Sequence, residues 1–230
     1  NNVTPTLTLG GAAATNEGAI YNLNIVGSDV AGAADPLGYS IDWGDSRAVR
    51  VLTAAGLLPR SANVAHTFAD DEDGLTNATA RTISVTVNDG DGGVTVENKV
   101  VTVNNVAPTA AVTGADTVAE ASVYTLSVAT VVDPGAETRT GYSIDWGDGV
   151  TNNFTPAEWL AAAGSFGHTY ADGAATPTIT VSATDEDGTF VLGSKSLTIS
   201  NVAPTLALTG NDASDEGAIY TLNVVASDVA

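Results

Sequence analysis

The sequence contains neither cysteine nor methionine. Without cysteine there is no disulfide framework and no thiol chemistry. The absence of both sulfur-containing residues removes the side chains most sensitive to oxidation, which suits an exposed extracellular protein of bacteria. We therefore expect an extracellular or bacterial cell-surface location.

Basic residues are also scarce, with 7 Lys and Arg against 27 Asp and Glu and a formal net charge of -20. This charge repels phosphate backbones and anionic lipids, so we expect no nucleic-acid partner. No apolar run approaches the roughly 18 residues of a membrane-spanning helix, and we expect no membrane insertion. The excess carboxylate is compatible with solubility, adaptation to salt or chelation of calcium, and composition alone does not choose among these.

One octapeptide occurs twice in the chain. Gly-Tyr-Ser-Ile-Asp-Trp-Gly-Asp at residues 38–45 returns at residues 141–148, 103 residues later. A second motif, Asn-Val-Thr/Ala-Pro-Thr, begins at Asn2, Asn105 and Asn201. Anchors that recur at a nearly constant period indicate one fold used repeatedly.

The spacing of these anchors predicts three domains. The first spans residues 1–104, the second 105–200, and residues 201–230 begin a truncated third domain. A segment that holds about two strands is too short to close a core of its own. We expect it to be completed either by further chain or by a neighbouring molecule, and the whole to belong to a longer array.

Apolar residues alternate with polar ones along most of each repeat, as at Tyr21, Leu23 and Ile25. This period of two is typical of half-buried strands, and the Gly- and Pro-containing turns separate about seven of them per repeat. The fold class predicted is therefore all-β, with tandem antiparallel β-sandwiches. Thr155 to Gly164 has the cap, proline and closing glycine of a short helix, and residues 48–56 are a looser version in the first repeat.

The motifs Tyr-x-x-Asp-Trp-Gly-Asp, His-Thr-Phe/Tyr and Ile-x-Val-x-Val/Ala-x-Asp-x-Asp-Gly occur in this order in both repeats. Together they resemble the polycystic-kidney-disease (PKD) domain family. The resemblance departs from the family pattern where Ile41 and Ile144 replace a usual Trp, where Trp43 and Trp146 replace Phe, and where Ser46 replaces Gly. It implies immunoglobulin-like sandwiches that space or mediate contacts in bacterial surface layers, secreted hydrolases and large adhesins.

The residues that could serve catalysis or ligand stacking repeat with the fold. His66 and His168 are the only histidines and occupy the same repeat position, which favours a hydrogen-bonded structural role over that of a catalytic base. The in-phase aromatic residues favour burial over a carbohydrate-stacking strip; they are Tyr21, Tyr39, Trp43, Tyr124, Tyr142 and Trp146. Trp159 lies outside the repeat pattern and is expected to cover the core locally. We predict that the chain is not an enzyme.

The acidic turns are the candidate binding sites. In an immunoglobulin-like topology, turns from opposite poles of successive domains meet at each junction, and calcium is the natural counter-ion of the resulting carboxylate cluster. The residues predicted for interdomain calcium are Glu17, Asp45, Asp133, Asp185 and Asp187 at the first junction, and Glu120, Asp148 and Asp228 at the second. The alternative is that Asp-Gly turns are simply good turns and that the charge serves solvation.

The sequence thus predicts a non-enzymatic spacer or stalk in a large secreted surface protein, adhesin or extracellular filament, rigidified by calcium. Its partners would be neighbouring repeats of the same protein or identical chains in a filament or surface layer. A glycan- or protein-binding module and an accessory spacer of a secreted hydrolase stay open as alternatives.

Overall fold

The computed structural model describes residues 2–32, 36–52, 61–71 and 77–229. The chain forms two compact units. The first unit comprises Asn1–Ala107 together with two turns, Asp133–Thr138 and Asp185–Gly188. The second unit comprises Pro108–Val132, Arg139–Thr184 and Thr189–Ala230.

The first unit is an antiparallel sandwich of two sheets. Its strands are β1 Thr6–Gly10, β2 Ala14–Asn16, β3 Ile20–Ser28, β4 Gly38–Asp42, β5 Arg50–Leu52, β6 Ser61–Thr67, β7 Ala78–Asn88 and β8 Val94–Asn104. One sheet has the order β1-β3-β6 and the other the order β2-β8-β7-β4-β5, in which only β2 pairs in parallel, with β8. Alternate residues of both sheets point inward, because successive side chains of a strand lie on opposite faces. Leu23, Ile41, Ile83 and Val101 are among those that lose all contact with solvent.

The second unit repeats this plan. Its elements are β9 Val112–Gly114, β10 Thr117–Ala119, β11 Val123–Val128, β12 Gly141–Asp145, β13 Thr151–Phe154, α1 Pro156–Ala161, β14 Ser165–Thr169, β15 Thr178–Thr184, β16 Thr189–Ser196, β17 Thr198–Ser200, β18 Thr205–Gly210 and β19 Leu222–Ser227. The sheets have the orders β14-β11-β9 and β13-β12-β15-β16, and β10 pairs in parallel with β17. The predicted all-β sandwich fold is confirmed in both units.

The helix predicted after Thr155 is also confirmed. The Thr155 side chain accepts a hydrogen bond from the backbone N–H of Glu158, whose carboxylate accepts one in return from the backbone of Thr155. This reciprocal cap satisfies backbone donors that the helix leaves unpaired. It presents Trp159 to the core, where its ring stacks on Tyr142 with centroids 4.4 Å apart. In the first repeat, Arg50–Leu52 of the looser segment forms β5 instead, and residues 53–56 lie outside the described residues.

The buried aromatic set also agrees with the sequence-based expectation. Tyr21, Tyr39, Trp43, Tyr124 and Trp146 are buried, and Tyr142 is half-buried against the core of the second unit. The five buried rings therefore cannot form an exposed carbohydrate-stacking strip, since they pack inside the sandwiches.

Residues 205–227 form an antiparallel hairpin of β18 and β19. Its apolar side chains, including Leu206, Leu222 and Val224, are exposed. Those at the matching positions of β1 and β3 are buried under a second sheet. No helix among the described residues is long and apolar enough to cross a membrane.

Candidate functional site

Carboxylates converge in the first unit, at one end of the sandwich. Glu17, Asp70, Asp71 and Glu137 each offer an oxygen, and these oxygens lie within 4.8 Å of one another. Glu137, Asp185 and Glu186 form a second group that meets the same limit. Because Glu137 belongs to both groups, we treat them together as the acidic cluster.

The backbone around Glu17 holds its side chain in place. Glu17 lies in the turn between β2 and β3, where its N–H donates to the carbonyl of Asn104 at 3.0 Å. The next residue, Gly18, has a positive φ of 63° and donates its N–H to the carbonyl of Phe68 at 2.8 Å. The Glu17 Oε1 accepts a hydrogen bond from the N–H of Val106 at 2.6 Å. These bonds turn the other oxygen, Oε2, into the acidic cluster.

Asp70 and Asp71 come from the segment after β6. The carbonyl oxygen of Asp71 accepts a hydrogen bond of 2.8 Å from the guanidinium of Arg81, while its side chain is 0% exposed. The carbonyl of Ala69 accepts a hydrogen bond of 2.9 Å from the N–H of Ala136, which fixes the turn that carries Glu137. These main-chain contacts help to place the carboxylates of the segment and of the turn.

The turn Asp185–Gly188 contributes the remaining acidic groups. Its Asp185 N–H donates to the carbonyl of Gly188 at 2.9 Å and closes the turn. The Glu186 carboxylate accepts hydrogen bonds of 3.2 and 3.0 Å from the N–H of Thr138. The Asp187 Oδ2 accepts one of 2.8 Å from the side-chain amide of Asn105. The two turns of the first unit are thus joined to each other and to the linker residue Asn105.

Several oxygens of the acidic cluster are buried and accept no hydrogen bond. They are Glu17 Oε2, both carboxylate oxygens of Asp71 and of Glu137, and Asp185 Oδ2; Oδ1 of the adjoining Asp187 has no donor either. Buried polar atoms are nearly always hydrogen-bonded, and a buried charge without a partner is strongly unfavourable. These buried oxygens therefore lack the hydrogen-bond donors that their ionised form requires.

The pKa values of the cluster reflect this deficit. Burial, together with the charges of Asp187 and Glu17, raises the pKa of Asp71 to about 7. Burial, with the charge of Asp70 and the contact with Glu17, raises the pKa of Glu137 to about 9. Burial likewise raises the pKa of Glu17, Asp185 and Asp187. At neutral pH the acidic cluster must therefore bind protons, bind a cation, or destabilise the fold.

The structure brings some of the predicted calcium ligands together. Glu17 and Asp185 belong to the acidic cluster, and Asp187 adjoins it through Asp71. Asp133 acts on Glu17 through its charge and accepts a hydrogen bond of 3.2 Å from Gly135 N–H.

Four acidic residues of the cluster were not predicted from the sequence: Asp70, Asp71, Glu137 and Glu186. Positions at which one repeat has an acidic residue and the other does not could have identified Asp71 and Glu137. The second repeat has Asp172-Gly173 where the first has Asp70-Asp71, and the first has Ala34 where the second has Glu137.

Asp45 and Asp148 occupy a different setting. The Oδ2 of Asp45 is hydrogen-bonded to Nε2 of His66 at 2.7 Å. The Oδ2 of Asp148 is hydrogen-bonded to Nε2 of His168 at the same distance. The imidazole of His66 stacks on Trp43 with centroids 4.2 Å apart, and that of His168 stacks on Trp146 at 4.6 Å. Neither aspartate belongs to the carboxylate groups found among the described residues. Both histidines are thus hydrogen-bonded within the fold, as the sequence predicts.

The His66 pair predicts a pH dependence of stability. Burial lowers the pKa of His66, against the opposing hydrogen bond and charge of Asp45. The unfolded chain therefore takes up a proton first, so stability present above about pH 6.5 is lost as pH falls below that value. We expect the stability advantage of the unsubstituted chain over His66→Gln, measured by urea unfolding, to shrink from pH 7.5 to pH 5.5. An advantage that grows over this range would contradict the assignment.

Glu120 and Asp228 also lie outside both carboxylate groups. Glu120 occupies the position in the second repeat that Glu17 occupies in the first. Its Oε1 accepts a hydrogen bond of 2.7 Å from Val202 N–H, and its Oε2 accepts one from Gly173 N–H. Asp228 is exposed, and its Oδ1 accepts a hydrogen bond of 2.7 Å from Val229 N–H.

The second unit carries an open groove beside its helix. Tyr142, Trp159, Leu160 and Arg139 are among the residues that line about 400 Å³ of space. Leu160 is largely exposed, whereas Trp159 is half-buried. The stacked rings of Tyr142 and Trp159 present an edge to the groove. Of the two residues, Trp159 occurs only in the second repeat.

No family model matches the chain, and no curated protein matches it. Solved structures similar to it include the "Tandem Ig repeats of Dlar", with 8% sequence identity and a TM-score of 0.30. That match covers 86% of this chain and 98% of the other.

Proposed function

We propose that this chain is a non-enzymatic structural spacer of the PKD type, part of an extracellular bacterial surface protein, adhesin or filament, and that calcium rigidifies it. One observation carries the non-enzymatic part. The only two histidines of the chain make the same contact with an aspartate and a tryptophan in both repeats. The two best candidates for acid–base chemistry therefore make the same internal contacts in each repeat, which favours a role in the fold.

The calcium part rests on the acidic cluster. Its carboxylates come from residues that are far apart in the chain, and several of their buried oxygens accept no hydrogen bond. Calcium is held by six to eight oxygens, chiefly from carboxylates and carbonyls. An ion bound there would tie the turns Asp133–Thr138 and Asp185–Gly188 to the sandwich of the first unit.

Thermal unfolding in calcium and in chelator tests this proposal. A ligand present at 100 times its Kd stabilises the folded state by about 2.7 kcal/mol, which raises the melting temperature by several degrees in a chain of this size. We expect calcium to produce this rise and magnesium to produce a smaller one. Small-angle X-ray scattering in the same buffers is expected to show a narrower distribution of dimensions with calcium. Superimposable melting and scattering curves in calcium and EDTA would refute rigidification by calcium.

A ligand-binding module is the second candidate, and the groove beside Trp159 favours it. The test is a glycan array probed with the fluorescently labelled chain and with its Trp159→Ala variant. If the chain is a spacer, we expect no glycan to bind the unsubstituted chain in a way that depends on Trp159. A signal with that dependence would identify the groove as a binding site and the chain as an adhesive module.

A further inference from the structure

Each group of the acidic cluster has the dimensions of the ligand set of one cation. Calcium–oxygen distances are about 2.3–2.6 Å, so two oxygens on one ion lie at most about 5 Å apart. The oxygens of Glu17, Asp70, Asp71 and Glu137 meet this limit, and so do those of Glu137, Asp185 and Glu186. The two groups share one residue, Glu137, whose carboxylate has an oxygen for each.

An independent observation indicates that this space holds a ligand. The Asp71 side chain is 0% exposed, and neither of its oxygens accepts a hydrogen bond. The same holds for Oε2 of Glu17, a side chain that is 1% exposed. A buried carboxylate ordinarily has hydrogen-bond donors or a cation beside it. These oxygens have no hydrogen-bond donor, and Glu17 and Asp71 each place an oxygen within 4.8 Å of the other members of their group.

Comparison of Glu17 with Glu120 shows why the first unit differs from the second. In the second unit, Oε2 of Glu120 accepts a hydrogen bond from the N–H of Gly173. The first repeat has Asp71 at the position of Gly173, and Oε2 of Glu17 has no donor. Asp71 keeps its backbone N–H, but no donor reaches Oε2 of Glu17, and the side chain of Asp71 adds a further carboxylate to the group. Both carboxylate oxygens of Glu120 thus accept hydrogen bonds from the protein, whereas Oε2 of Glu17 accepts none.

Protons alone do not satisfy the acidic cluster. One proton shared between Glu17 and Glu137, and another between Asp71 and Asp187, would leave further buried oxygens of Glu137 and Asp185 without donors. The members of both groups are all oxygen donors, which suits a hard cation rather than zinc or copper. Magnesium retains several waters and demands a strict octahedron, so a buried set of many carboxylates favours calcium.

We propose that the first unit holds a two-calcium centre bridged by Glu137. One ion is bound by Glu17, Asp70, Asp71 and Glu137, and the other by Glu137, Asp185 and Glu186. The second repeat, with Gly173 in place of Asp71, holds no equivalent centre. This inference rests on the calcium part of the proposed function and adds the number of ions, their ligands and their confinement to the first unit.

Calcium stoichiometry tests the inference. The full chain, stripped with EDTA and dialysed, is titrated with calcium chloride by calorimetry, and the bound ions are counted by native mass spectrometry. We expect two ions per chain, one in Asp71→Asn, one in Glu186→Gln and none in Glu137→Gln. Asp172→Asn changes an exposed acidic residue of the second repeat, at the position of Asp70, and is expected to keep two.

The variants carry their own folding control. Each replaces a carboxylate by an amide of nearly the same shape and removes repulsion, so we expect Asp71→Asn and Glu137→Gln to melt higher than the unsubstituted chain in EDTA. A count of two ions in Glu137→Gln, or of one in the unsubstituted chain, would overturn the shared centre and leave rigidification by calcium intact. No ion bound to the unsubstituted chain would overturn both, while the spacer role would stand.

Discussion

Replacement of Trp146 by alanine is expected to destabilise the second unit by about 3–5 kcal/mol, the usual cost of removing a large buried aromatic side chain. Trp146 is 1% exposed and lies at the centre of several contacts. Its ring stacks on His168, its Nε1 donates to the side-chain oxygen of Asn152 at 2.7 Å, and its carbonyl accepts from the Tyr170 hydroxyl at 3.0 Å. The alanine variant leaves a cavity and removes the partners of His168 and Asn152. Denaturant unfolding followed by circular dichroism measures the loss.

Trp159→Ala is the matched control for this substitution. Trp159 packs on Tyr142 and Phe166 but is only half-buried, at the edge of the core. Because less apolar surface is removed from water at this position, we expect at most about half the loss seen for Trp146→Ala. Equal losses for the two variants would mean that the octapeptide tryptophan is not the centre of the core.

Replacement of Gly147 by alanine is expected to cost about 2–5 kcal/mol, although it adds only one methyl group. Gly147 has a φ of 77°, where an L-residue is strained by about 1–2 kcal/mol. A β-carbon there would also lie 2.7 Å from the carbonyl oxygen of Thr178, and a clash with backbone adds about 1–3 kcal/mol. Gly44 of the first repeat has the same constraint, with a φ of 70° and the Thr82 carbonyl 2.6 Å away. Chemical denaturation of the purified variants measures both effects.

Gly149→Ala separates strain from steric clash. Gly149 lies in the same turn with a φ of 92°, but a β-carbon at this position has no atom within 4 Å. We expect this variant to lose only the strain contribution, about 1–2 kcal/mol. If Gly147→Ala and Gly149→Ala were equally destabilised, the close approach to Thr178 would have no energetic role.

These expectations follow from a fold that local patterns predict well. The alternation of Tyr21, Leu23 and Ile25 predicts β3 because a strand places alternate side chains on one face, and all three are buried. The cap at Thr155 predicts α1 because the hydrogen bonds involved join residues only three positions apart. The segment after Ala48 has weaker local signals, and there Arg50–Leu52 pairs with β4 as a strand.

The candidate site was predicted less completely than the fold. Glu17 and Asp185 were identified because their turns recur in each repeat and the topology suggested that such turns meet. Asp45 was assigned to the same set, yet its carboxylate lies 2.7 Å from Nε2 of His66, a residue of β6 in the other sheet. A repeat position shows that a residue has a constant role, but it does not show whether that role is a ligand contact or an internal hydrogen bond.

The sequence by itself determined the repeating all-β architecture, the buried aromatic residues and the excess of negative charge, because these depend on composition and on contacts between near neighbours in the chain. Only the tertiary structure decided which carboxylates face one another. Asp71 and Glu137 are 66 positions apart, and they converge because backbone hydrogen bonds such as that from Ala136 to Ala69 join their turns. A contact of that kind has no local sequence pattern, since its energy depends on distances that arise only when the chain has folded.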